Sequence, residues 1–134
     1  MNVLLIEPEK PPREAEIGSG LKAMQDVVGG YIEAVYPYDD PVALVCNEEG
    51  KLIGLPLNRK IEDYDIIAGT FFICGLSEDN FASLPPDLME KYKEKFARPE
   101  MFMQLGRHII AVPIEPAKEP KPPKQDKKPS FDER

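Results

Sequence analysis

Apolar and polar residues alternate along residues 31–36, which gives the clearest strand pattern in the first half of the chain. Ile32, Ala34 and Tyr36 fall on one face of an extended segment, and the residues between them fall on the other. Such a period of two is typical of a strand with one face in a core. Paired glycines precede this segment, and a turn rich in proline and aspartate follows it at residues 37–41.

Three further segments extend the pattern into a compact set of strands. The run from Val42 to Cys46 is apolar throughout, so we expect a central strand buried on both faces. An Asn-Glu-Glu-Gly corner follows, then a short returning strand at residues 51–53 and an irregular loop at residues 54–59. Residues 65–74 (DIIAGTFFIC) form the strongest strand pattern, in which Gly69 indicates a bulge or a close approach of the backbone to another segment. The short connections predict antiparallel pairing.

Helical spacing of apolar residues occurs in two places. Leu21, Met24 and Val28 predict a first helix, and residues 85–96, opened by two prolines, predict a second. Short strands are expected at residues 2–6 and 107–112, and residues 13–17 are expected to be either a strand or an extended lead-in to the first helix. The pattern as a whole predicts an α+β fold, with a mostly antiparallel sheet of five or six strands and two helices on one face.

The C-terminal twenty residues differ in composition from the rest. Residues 115–134 (EPAKEPKPPKQDKKPSFDER) hold five prolines, eleven charged residues and a single large apolar residue, Phe131. Such a segment buries too little apolar surface to offset the entropy of ordering, so we expect a disordered tail. Residues 1–114 suffice for a single globular domain with one core.

Charge and hydropathy exclude several functions. The formal net charge is −7, and the only basic cluster lies in the tail, where acidic residues interrupt it. Because contacts to phosphate need a clustered basic face, we expect no direct nucleic-acid binding. No apolar run approaches the ~18 residues of a membrane-spanning helix, and the first residues lack the features of a signal peptide. We therefore expect a cytoplasmic protein without a membrane contact.

Residues that could carry catalysis are sparse. The one histidine, His108, lies in an apolar segment that resembles a strand. Cys46 and Cys74 lie in apolar strand patterns and are interpreted as buried thiols, with no spacing that suits a zinc site. No nucleophile motif and no complete phosphate-binding loop is present. We expect a protein that is not an enzyme and that holds neither a metal nor a cofactor.

One group of polar residues could form a binding site. Asn47 and Asn58 bracket the expected returning strand, so both could emerge at one edge of the sheet beside Arg59 and the ring of Tyr31. Asparagine and arginine together can recognise a carboxylate, a phosphate or an amide. The alternative is that both asparagines cap turns by bonding their own backbone. We retain Tyr31, Asn47, Asn58 and Arg59 as a candidate ligand-binding site.

Four segments of the sequence together resemble one family, domain of unknown function 3846. They are VVGGYIEAVY (27–36), VCNEEGKLIGLPLNRKI (45–61), DIIAGTFFICG (65–75) and MEKYKEKF (89–96). The resemblance covers residues 1–96 and implies an accessory protein from a phage, plasmid or integrated element, mainly of Firmicutes. It implies no known reaction and no catalytic residues, and it suggests a counter-defence role as a hypothesis.

Two function classes therefore stay open. The first is a non-enzymatic binding module for a small ligand, for a host protein or for a protein of the same element. The second is an acidic decoy that inhibits a nucleic-acid-binding enzyme, as antirestriction proteins do. A decoy needs carboxylates spaced like phosphates along one face, whereas a ligand-binding module needs a concave pocket with a few convergent polar groups.

Deletion of residues 115–134 tests the domain boundary. We expect the melting temperature to change by no more than a few degrees, because a segment with one large apolar residue contributes little to a core. Thermal unfolding of the full chain and of the truncated chain measures this directly. A large decrease would show that the tail docks on the domain.

Overall fold

The computed structural model describes residues 1–63 and 65–115. The predicted disordered tail lies outside these residues, apart from Glu115, and both the tail and the single-domain boundary stay predictions. These residues contain two helices, α1 (Leu21–Val28) and α2 (Pro86–Lys95). The strands are β1 (Asn2–Ile6), β2 (Arg13–Glu16), β3 (Ile32–Val35), β4 (Val42–Asn47), β5 (Leu57–Ile61), β6 (Asp65–Ala68), β7 (Phe71–Ser77), β8 (Asn80–Ala82), β9 (Glu100–Leu105) and β10 (His108–Pro113).

A central sheet of six strands organises the molecule. Its strand order is β2-β1-β7-β4-β3, and β8 pairs with β7 beyond the end of β1. Every pairing is antiparallel. The strands β5 and β6 form a separate two-stranded sheet, and β9 and β10 form a hairpin. The predicted α+β class and the mostly antiparallel sheet are confirmed.

The two helices pack on opposite faces of this sheet, so the prediction that they share one face is wrong. Side chains of β4 alternate, with Leu44 in the apolar cluster that contains α2 and Val45 in the cluster that contains α1. Because β4 and β7 are apolar on both sides, each face needs its own cover. The sheet β5–β6 joins α2 on its face through Ile61 and Ile67.

The segment predicted as one long strand is divided at Gly69. Residues 65–68 form β6, which pairs with β5, whereas residues 71–77 form β7 at the centre of the main sheet. Gly69 has a φ of 83°, a left-handed conformation that glycine adopts without strain, and its N–H donates to the carbonyl of Pro56 at 2.7 Å. Gly69 is therefore the point at which the chain passes from the β5–β6 sheet to the central sheet, and not a bulge within one strand.

The returning strand lies later in the chain than predicted. Residues 51–53 are a turn, and the strand that follows the Asn47 corner is β5, which contains Asn58 and Arg59.

The predicted α1 is confirmed, including its end at Gly29 with a φ of 80°. One detail differs, because Leu21 is 57% exposed and does not face the core. Within the described residues, no helix combines the length and the apolar character needed to cross a membrane.

Phe96 anchors the end of α2, so its truncation tests the placement of this helix. Phe96 is 4% exposed, and its ring packs edge-on against Phe71 with 5.8 Å between ring centroids. We expect Phe96→Ala to lower the free energy of unfolding by about 3–5 kcal/mol, measured by chemical denaturation.

The matched control is Leu21→Ala on α1. Leu21 is mostly exposed, so its truncation should change the free energy of unfolding by less than about 1 kcal/mol. Similar losses for the two variants would show that one of these helices is placed wrongly.

Candidate functional site

Asn47 ends β4 and ties it to the end of α1. Its side-chain amide donates to the carbonyl of Val28 at 3.1 Å, and its side-chain oxygen accepts the N–H of Glu49 at 2.8 Å. Gly30 allows this approach, since a Cβ atom at that position would lie 2.8 Å from the Asn47 nitrogen. Asn47 therefore caps a turn and a helix end at once, which is the alternative role that the sequence left open.

Tyr31 lies beside Asn47 and faces solvent. Its backbone carbonyl accepts the N–H of Glu48 at 2.8 Å, and the residue is 67% exposed. An open groove of about 400 Å³ runs between the last turns of α1, Tyr31 and Ile53. The charged residues on α1 at this groove, Lys22 and Asp26, form an ion pair at 2.6 Å. The groove can admit a flat apolar group, but both polar ends of the Asn47 side chain are already bonded within the protein.

Asn58 and Arg59 lie on β5 and are fully buried. The Asn58 amide donates to the carbonyl of Ile6 at 2.9 Å and to that of Gly69 at 2.8 Å. Its side-chain oxygen accepts a bond from the Arg59 guanidinium at 2.9 Å. Asn58 therefore joins β1, β5 and the connection between β6 and β7.

The Arg59 guanidinium binds carbonyl oxygens from two distant segments. It donates to the carbonyl of Lys10 at 2.8 Å and to that of Phe96 at 3.1 Å, and more weakly to its neighbour Asn58 at 3.3 Å. Burial lowers the pKa of Arg59, and the nearby charge of Glu100 opposes that shift. Among the described residues, only carbonyl and amide oxygens bond to this guanidinium, and its Nε atom has no partner.

The four candidate residues thus separate into two pairs. Tyr31 and Asn47 border one groove, while Asn58 and Arg59 form a buried polar staple in which neither residue reaches solvent. The two pairs share no hydrogen-bonding partner in the described structure. The expectation of a shared sheet edge came from placing a strand between Asn47 and Asn58, and that strand is a turn. A ligand-binding role for the four residues stays a prediction.

A second polar cluster joins the β3–β4 turn to α2. The Tyr92 hydroxyl and the Lys91 ammonium both donate to one oxygen of Asp40, at 2.6 and 2.7 Å. The bonds from Lys91 and then Tyr92 lower the pKa of Asp40. Burial, followed by the interaction with Asp40, raises the pKa of Tyr92, and burial with the charge of Glu62 raises that of Tyr38. These tyrosines are therefore neutral side chains that pack, with 5.0 Å between their ring centroids.

The two cysteines are buried free thiols, as the sequence indicated. Burial raises the pKa of both Cys46 and Cys74 to about 11, so neither is a ready nucleophile at neutral pH. Cys46 belongs to the apolar cluster beneath α2 and Cys74 to the one beneath α1, so the sheet lies between them. Within residues 1–63 and 65–115, no three side chains of His, Cys, Asp or Glu converge as metal ligands.

Six of the eleven exposed large apolar residues in the described part of the chain lie on the β9–β10 hairpin, whose first strand sequence reasoning missed. It predicted only the second of the two strands. The signal was present in residues 100–105 (EMFMQL), where Met101, Met103 and Leu105 alternate with other residues in a period of two. All three are about half exposed, as are Ile109 and Ile110 on β10.

Comparison with known proteins identifies one family. A family model described as a domain of unknown function (DUF3846) matches residues 1–97. No curated protein and no solved structure is detectably similar to this chain. The match ends just after α2, so the β9–β10 hairpin lies outside the shared domain.

Replacement of Arg59 tests whether the buried staple is structural. We expect Arg59→Met to lower the free energy of unfolding by about 3 kcal/mol or more, because each buried acceptor left without a donor costs about 1–3 kcal/mol. Chemical denaturation measures the change.

Arg13→Met is the matched control for this variant. Arg13 pairs with Glu7 at 3.3 Å on the surface, with 59% of its side chain exposed, so its loss should cost no more than about 1 kcal/mol. Equal losses in the free energy of unfolding for the two variants would show that Arg59 has no structural role beyond that of a surface arginine.

Proposed function

From the membership of this chain in the DUF3846 family, we propose that it is a non-enzymatic, cytoplasmic accessory protein of a phage or other mobile element. It acts by binding a protein of the host or of the same element, and a counter-defence role fits this class. The observation that carries the proposal is the exposed apolar face of the β9–β10 hairpin.

Five apolar side chains form this hairpin face. In the β9–β10 register Met103 lies opposite Ile110 and Met101 lies opposite Val112, while Leu105 continues the same face toward the turn. Between 37% and 54% of each residue is exposed. A contiguous exposed apolar patch on a folded protein is often a protein-binding surface.

The opposite face of the hairpin fixes it to the domain. Phe102 and Ala111 are half-buried on that side. The N–H of Lys60 on β5 donates to a carboxylate oxygen of Glu100 at 2.8 Å. These contacts hold the inner side of the hairpin against the domain. Its outward face remains open in the described structure. Methionine side chains suit such a surface because they adapt to the shape of a partner.

The hairpin lies outside the part of the chain that the family model matches. It begins after residue 97, where that match ends. A surface outside the matched domain is a natural place for a specific partner. The mostly neutral character of residues 97–115, which hold two arginines and two glutamates, contrasts with the acidic chain as a whole.

The small-ligand and decoy alternatives receive less support. The groove beside Tyr31 is open, and its asparagine is already bonded within the protein. On α2, Lys91 and Lys93 bind Asp40 and Glu14 at 2.7 and 2.6 Å, and Lys95 also pairs with Glu62. These lysines neutralise the carboxylates that a decoy would present on that side.

Substitutions on the hairpin test the proposal. We expect the double variant Met103→Ser/Ile110→Thr to fold normally, because both residues are exposed. We expect it to recover at least about tenfold less of one specific protein than the wild-type chain does. Recovery is measured by quantitative affinity capture from the host, followed by binding of that purified protein to the wild-type chain.

The control is Leu52→Ser/Ile53→Thr on the β4–β5 turn, which removes two apolar residues elsewhere that are even more exposed than Met103 and Ile110. It should retain the captured protein. Identical capture by wild type, hairpin variant and control would contradict the proposal. So would a small molecule retained in native mass spectrometry without any specific protein partner.

A further inference from the structure

The strands at the two ends of the order β2-β1-β7-β4-β3 differ in how their free edges are protected. On β2, Arg13, Glu14 and Glu16 are charged, and two prolines precede the strand. Charged side chains and nearby prolines at a sheet edge discourage pairing with another chain. On β3, the only charged residue is Glu33, and exposed tyrosines stand at both ends. Within the described part of the chain, β3 pairs with β4 alone.

The hydrogen bonds of β3 show which backbone groups are free. The bond from the Glu48 N–H to the Tyr31 carbonyl belongs to the same register that sets Ile32 opposite Asn47. In an antiparallel ladder the bonded pairs alternate, so the N–H and carbonyl groups of Ile32 and Ala34 point away from β4. Continued by two residues past Val35, the same alternation directs the N–H and carbonyl groups of Tyr36 outward and the backbone of Pro37 toward β4. The missing N–H of Pro37 therefore does not interrupt the outer edge.

We propose that two copies of this chain form a dimer by antiparallel pairing of their β3 strands, centred on Ala34. In this register Ala34 lies opposite Ala34 of the second copy, and Ile32 lies opposite Tyr36 of the second copy. The two six-stranded sheets then form one continuous sheet across the two-fold axis.

The side chains favour this register over those centred on Glu33 and on Ile32. Only residues with outward backbone groups can bond across the axis, which restricts the centre of the pairing to a few positions. A register centred on Glu33 would place two carboxylates directly opposite each other, which is destabilising. A register centred on Ile32 would leave Val35 and Tyr36 unpaired. The register centred on Ala34 places Glu33 opposite Val35 and pairs large side chains with large ones.

The tyrosine at the end of the strand supplies apolar area for the contact. Tyr36 is 60% exposed and continues the face of Ile32 and Ala34, which packs toward α1. In the dimer its ring covers Ile32 of the second copy, and cross-strand pairs of an aromatic with a β-branched residue stabilise a sheet. The net charge of −7 on each copy opposes association, so added salt should strengthen the dimer.

Cysteine cross-linking tests both the dimer and its register. Paired residues at a bonded position of an antiparallel ladder have Cα atoms about 5.5 Å apart, within the range that a disulfide spans. The variant Ala34→Cys should therefore form a covalent dimer under mild oxidation. The matched control is Ala15→Cys on β2, since Ala15 is also half-buried on the α1 face but belongs to the protected edge. The native cysteines are buried in both variants.

Sedimentation of the full chain over a wide concentration range measures the association itself. We expect a monomer–dimer equilibrium that tightens as salt increases, and about a tenfold weakening by Tyr36→Asp with no loss of thermal stability. The hairpin variant Met103→Ser/Ile110→Thr should leave the dimer intact, which separates this inference from the proposed function.

Three outcomes would overturn the inference. The chain could be monomeric at every concentration and salt level, or Ala34→Cys could cross-link no faster than Ala15→Cys. The hairpin variant could also abolish a dimer that Tyr36→Asp leaves unchanged, in which case the copies meet through the hairpin.

Discussion

The buried guanidinium of Arg59 is the interaction on which the rest of the structure depends. It joins the β1–β2 connection at Lys10 and the end of α2 at Phe96 to the strand β5. Removing a charged group from water is costly, and here carbonyl oxygens and the Asn58 side chain replace the lost hydration. The carbonyl of Phe96 lies at the negative end of the α2 dipole, which further favours a cation there.

Several features of the fold follow from this staple. Fixing the end of α2 against β5 seals the apolar cluster on that face of the sheet, where Phe96 packs against Phe71. It also fixes where the next segment of chain begins. The hairpin starts four residues after Phe96 and bonds to β5 through Glu100, so its position depends on the same contact. The interior polar residues thus determine which surface the protein presents.

The sequence could predict the parts of the fold that rest on local patterns. The apolar run of β4 and the helical spacing of α1 identify their elements, because periodicity reports burial directly. Periodicity does not report which face of a sheet a helix covers, so the placement of both helices on one face was wrong. The role of Arg59 was beyond such reasoning as well, since its partners Lys10 and Phe96 lie 49 and 37 residues away.

Polar and apolar side chains are divided between the interior and the surface of this protein in an unusual way. The amide and guanidinium groups best suited to recognise a ligand, those of Asn47, Asn58 and Arg59, are buried and bonded within the fold. The surface instead exposes apolar and aromatic side chains, including Met103 on the hairpin and Tyr36 at the end of β3. Association between proteins draws its free energy mainly from burying such groups. Polar side chains therefore hold the scaffold together, and the exposed apolar groups are the surfaces on which both proposals of association rest.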